Sequence, residues 1–143
     1  MPPFLIPAVL LISILVVIGA GPIAAKLGGW SRLAETYAAV RPFEGRKQLA
    51  SGAMGAANYG FSLLLGADSQ GFSLETTGFV RTGHAPLFIP WAEVKATETF
   101  GIFSPRVLVE FSKAPGVVLR LTKKTILELK ERSEIPQAFP GIS

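Results

Sequence analysis

The sequence predicts a mainly β domain of about seven short antiparallel strands, closed by one C-terminal α-helix and preceded by an apolar helix long enough to cross a bilayer. Three observations predict this. No charged side chain occurs from Met1 to Ala25. From Arg46 onward, short apolar runs alternate with turn residues at close intervals. After Thr122 the apolar spacing changes from a period of two to a helical one.

The first element is the N-terminal run. Phe4 to Ala25 contains thirteen residues of the Leu, Ile, Val and Phe type. As a helix these positions reach roughly 33 Å, against a hydrocarbon thickness of about 30 Å. Pro7 falls in a first turn, where a missing N–H costs little, whereas Gly19, Gly21 and Pro22 weaken the last third. A cleaved secretory signal is the rival reading. The lack of any Lys or Arg before the run and the run's length both count against it. Residues 1–28 therefore read as an anchor, and the first partner expected is the lipid bilayer itself.

Orientation follows from positive charge. Lys26, Arg32, Arg41, Arg46 and Lys47 stand against Glu35 and Glu44, which places +3 of the chain's net +4 beside the expected span. Basic residues near a span stay on the cytoplasmic side, so the expectation is an inner (plasma) membrane protein with its N-terminus outside and its domain in the cytoplasm. The basic segment favours anionic lipid. It does not favour nucleic acid, because basic and aromatic residues are not interleaved across one face.

Residues 29–45 read as a juxtamembrane amphipathic helix and linker. Trp30, Leu33, Ala34 and Tyr37 recur at helical spacing, giving a helix over Ser31 to Ala39, which Pro42 and Gly45 end. Trp and Tyr suit a membrane interface, and they equally suit packing on the domain. On the first reading Trp30, Arg32, Tyr37, Arg41, Arg46 and Lys47 form a membrane-contact surface.

Residues 46–133 carry the β domain. The expected strands are Arg46 to Met54, Tyr59 to Ala67, Gly71 to Thr76, Leu87 to Pro90, Lys95 to Phe103, Arg106 to Phe111 and Val117 to Leu121. Asp68-Ser69-Gln70-Gly71 and Ala114-Pro115-Gly116 supply hairpin turns. Thr122 is the expected N-cap of a helix from Lys123 to Ser133, with Ile126 and Leu129 on its buried stripe. Pro136 and Pro140 leave residues 134–143 as a loose tail.

That order of elements resembles a pleckstrin-homology-like (PH-like) or GRAM-like domain, a partly open barrel capped by its last helix. Ile89-Pro90-Trp91-Ala92-Glu93-Val94 is similar to a segment common in bacterial members of that superfamily. Gly29-Trp30-Ser31-Arg32-Leu33-Ala34-Glu35, Asn58-Tyr59-Gly60 and Gly83-His84-Ala85-Pro86 also resemble small single-span bacterial proteins with no assigned activity. The resemblance implies a fold and not a function, since the fold hosts lipid, peptide and structural roles. Phosphoinositide-binding members carry basic residues between the first two strands. Here that loop is Gly55-Ala56-Ala57-Asn58, so phosphoinositide binding is not carried over.

Chemistry is sparse. The chain has no cysteine, which excludes disulfides and thiolate metal sites. Its one histidine, His84, sits in a turn sequence and reads as structural, as does its one aspartate, Asp68. Glu75, Glu93, Glu98 and Glu110 are spread over separate elements, and Gly52, Gly55 and Gly60 lack a phosphate-loop pattern. Trp91 reads as a core or rim aromatic. No catalytic, metal or cofactor site is expected. A tethered interaction or scaffold module with a protein partner is the leading expectation, and a membrane-associated lipid-handling protein or enzyme is the alternative.

Overall fold

The structure is a computed structural model, and it describes residues 6–11, 28–77, 81, 83–136 and 138–142. The expected span from Phe4 to Ala25 lies largely outside these residues. Of it, residues 6–11 are described and are helical. Among the described residues no helix is long and apolar enough to cross a membrane. The helices that follow, α1 (Trp30–Tyr37) and α2 (Lys123–Ser133), have eight and eleven residues. They reach only roughly 12 and 16 Å. The single-span membrane expectation is corrected accordingly; the correction concerns helices and not strands.

Seven strands form one antiparallel sheet bent into a half-barrel: β1 (Gln48–Met54), β2 (Ala57–Ala67), β3 (Gly71–Thr76), β4 (Leu87–Pro90), β5 (Val94–Phe100), β6 (Pro105–Phe111) and β7 (Val118–Thr122). Their spatial order is β4-β3-β2-β1-β7-β6-β5, so the first and last strands in sequence pair at the centre. Side chains at alternate positions face inward. Val107, Val109 and Phe111 of β6 are buried opposite Leu121 and Leu119 of β7, whereas Arg106 and Glu110 point outward. Gly52 sits where β1 crosses from one half of the sheet to the other. A Cβ there would lie 2.8 Å from Leu121 Cδ2 and 2.9 Å from Leu63 Cδ1, so only glycine lets both leucines close the core.

β1 and β2 are not in continuous register. Ala50 faces Leu63 and Gly52 faces Tyr59, so Gly60, Phe61 and Ser62 of β2 bulge out against Ser51. Phe61 takes φ +48°, its N–H donates to Ser51 Oγ at 2.8 Å, and its ring is 78% exposed.

Helix α2 starts on Thr122, whose hydroxyl accepts from Thr125 N at 3.2 Å. Ile126 and Leu129 are buried in the barrel mouth. The chain beyond α2 is packed, contrary to the loose tail expected from its prolines. Ala138, Phe139 and Ile142 are buried, and the Lys130 ammonium donates to the Ile142 carbonyl. Phe139 stands edge-on to Phe72 at 4.9 Å and to Trp91 at 5.1 Å. Prolines stop the helix but do not prevent burial, because an aromatic and an isoleucine can still fill a core opening.

Candidate functional site

The six residues expected on a membrane-contact surface are not brought together. Trp30 is fully buried and its Nε1 donates to the Ala85 carbonyl at 2.9 Å. Tyr37 is also buried, donating to Glu93 Oε1 at 3.0 Å and accepting from Lys113 N at 3.0 Å. The amphipathic stripe of α1 therefore packs on the domain. The four basic residues are exposed at three separate places: Arg32 borders a recess with Gly55 and Gly116, Arg41 lines a cleft beside β3 and β4, and Arg46 and Lys47 together flank Gln48 and Arg132. Lys47 is paired with Glu75 at 2.7 Å.

His84 belongs to the core. It is 4% exposed, its Nε2 lies 2.7 Å from the Tyr59 hydroxyl, and its ring meets Trp30 edge-on at 4.9 Å. Burial pushes the Tyr59 phenol up to about 12, because the phenolate would lose its hydration. The pair ties β2 to the loop before β4. Asp68 is a turn residue, with Oδ1 accepting from Gln70 N at 2.8 Å and Gly71 N at 2.9 Å. Among the described residues, no group of three or more His, Cys, Asp or Glu could hold a metal ion.

A cleft of about 430 Å³ lies between residues 39–45 and the β3–β4 side of the sheet. Phe43 and Phe88 are stacked across it with ring centroids 6.4 Å apart. Phe43 rests on the bare backbone of Gly66, where a Cβ would come within 2.4 Å of the ring. The polar lining of the cleft includes Arg41, Glu44, Asp68, Ser73 and Glu75. The only histidine is engaged with Tyr59, which leaves the Ser73 hydroxyl without an imidazole base.

The most unusual surface is on the β5–β6 hairpin. β5 ends the sheet, and among the described residues no strand pairs with its outer edge. Ser112 N donates to Glu93 O and Gly101 N to Ser104 O, each at 3.0 Å. Alternation between these two pairs leaves the N–H and C=O groups of Val94, Ala96, Glu98 and Phe100 pointing away from β6. The opposite edge is blunted. β4 has only four residues, ends in Pro90, and is bridged at Leu87 by Ala38, with Ala39 N donating to Pro86 O at 2.8 Å.

At the hairpin tip, Phe100, Ile102 and Phe103 are 96%, 91% and 95% exposed. Hairpin turns favour Gly, Asn, Asp and Pro for their backbone angles, so Ile102 and Phe103 serve no local conformational purpose there. The apolar run predicts a strand from Lys95 to Phe103, whereas β5 ends at Phe100 and leaves Ile102 and Phe103 in the turn. The signal that marks the tip is Gly101 followed by Ser104-Pro105, turn chemistry inside an apolar run. No family model, no curated protein and no solved structure matches the chain.

Proposed function

We propose that this chain is an interaction module of PH-like architecture that binds an extended segment of a partner protein along the free edge of β5. The strand order β4-β3-β2-β1-β7-β6-β5 with a C-terminal helix supports the architectural part. The observation that carries the function is the unpaired outer edge of β5, set against the blunted edge at β4. Seven residues of strand offer roughly 23 Å of backbone to a peptide. Main-chain hydrogen bonds would supply affinity, and alternate side chains of the peptide would supply specificity. Lys95 and Glu98 flank the edge and discourage uncontrolled pairing between copies while tolerating a complementary segment.

The test is peptide selection against the isotopically labelled full chain, with amide shifts used to locate the bound peptide. The expected result is perturbation confined to Val94–Phe100 and its β6 neighbours. Ala96→Pro removes one outward N–H without touching the β6 ladder, and it should abolish peptide binding while the fold is retained. Shifts centred on the cleft of Phe43 and Phe88, or binding unaffected by Ala96→Pro, would overturn the reading.

A further inference from the structure

We infer that the β5–β6 tip is a peripheral docking point for the anionic surface of a lipid bilayer, a role that needs no spanning helix and goes beyond the edge-strand reading. Phe100, Ile102 and Phe103 lie within four residues, and each is more than nine-tenths exposed. They project from the end of a hairpin, so the apolar surface is convex. A flat, deformable acyl and headgroup layer can cover a convex tip, whereas a folded protein would need a matching cavity. Aromatic and aliphatic side chains are the residues that enter this layer from surface-bound elements.

Charge around the tip is complementary to anionic headgroups. Arg106 folds over the turn, so that a Cβ on Gly101 would lie 2.8 Å from its Nε. Arg120 lies on the outer face of the β6–β7 pair two residues further from the tip, but its guanidinium donates to the Gly55 carbonyl at 2.8 Å on the β1–β2 turn and belongs to the other end of the sheet. Lys123 and Lys124 open α2 beside the same barrel end, and no acidic residue occupies that first turn. Glu98 pairs with Lys123 at 3.0 Å, and Glu128 stands 4.0 Å from Lys124. Arg106, Lys123 and Lys124 against Glu98 and Glu128 leave a net +1 at this end, carried by Arg106. The apolar tip and the Arg106 guanidinium that folds over it share one end of the sheet, which is the arrangement an anionic lipid surface selects.

The chain has no cysteine, so Ile102→Cys in the full chain accepts a single environment-sensitive fluorophore. Ala56→Cys, on the exposed β1–β2 turn, provides a matched control. Vesicles of phosphatidylcholine with phosphatidylglycerol, a fraction of them with brominated acyl chains, are then added. The expected result is a blue shift and bromine quenching at residue 102 but not at residue 56. Reaching the same quenching on neutral vesicles should take about fivefold more lipid. Adding Phe100→Ser and Phe103→Ser should abolish the quenching, with the melting curve showing that the fold persists. The proposal is overturned if residue 102 stays water-like on vesicle-bound chain, or if quenching is equal on neutral and anionic vesicles. It is also overturned if quenching survives the two serine substitutions, or if the label is covered without lipid as protein concentration rises, which would assign the tip to a second copy.

Discussion

The Tyr59 hydroxyl and His84 Nε2 meet at 2.7 Å beneath Trp30, in a pocket that excludes solvent from all three rings. Residues 25 positions apart in sequence are thereby locked, fixing β2 against the loop that leads into β4. Removing the hydroxyl with Tyr59→Phe leaves a buried imidazole nitrogen without that partner. The expected cost is about 1–3 kcal/mol in urea unfolding.

The same burial makes stability depend on alkaline pH. The phenol titrates at about 12 in the folded chain against 10.0 in an exposed one. The unfolded chain therefore loses its proton first as pH rises. Stability from this group is complete below pH 10 and falls between pH 10 and 12. Tyrosinate absorbance should show a late component that Tyr59→Phe removes. If Tyr59→Phe leaves both the absorbance titration and the alkaline loss of stability unchanged, the solvent-excluded pair is not as described.

Tail docking is tested by Phe139→Ala. The ring fills the opening beside Phe72 and Trp91, so the expected loss is about 3–5 kcal/mol, accompanied by a change in Trp91 emission. Unchanged melting would mean that the tail contributes nothing to the core.

How much of this was legible depends on how local each cause is. β3 and β4 match their expected bounds, as does α2, because alternation, the Asp68 turn and the Thr122 cap are all written within a few residues. Trp30 and Tyr37 were ambiguous in sequence, since an amphipathic stripe looks the same against lipid or against a sheet. Their partners Ala85 and Glu93 lie 55 and 56 residues away. The tail departs from its expectation because prolines report on backbone regularity and say nothing of where Phe139 goes. The β5 edge and the bare hairpin tip exist only once the strands are ordered. No window of sequence states which strand ends a sheet.

The Phe61 bulge is the least legible feature, because its left-handed backbone follows from a register shift between two strands. At φ +48° a Cβ costs about 1–2 kcal/mol, and a ring that is 78% exposed recovers little of it through packing. Phe61→Gly removes that strain and adds about 0.5–1 kcal/mol of backbone entropy to the unfolded chain. The balance predicts a net stabilisation of about 0.5–1 kcal/mol, and Phe61→Asn, which tolerates the same region, should fall between the two. Ser51→Ala should cost about 1 kcal/mol, because the Phe61 N–H loses its hydroxyl acceptor. Urea unfolding of the two single variants and the double variant checks both terms. If the bulge is a strained loop held by Ser51, the cost of Ser51→Ala should persist in the Phe61→Gly background, since the N–H donor is still present. A Phe61→Gly variant destabilised by more than 1 kcal/mol would show instead that the ring is held by packing.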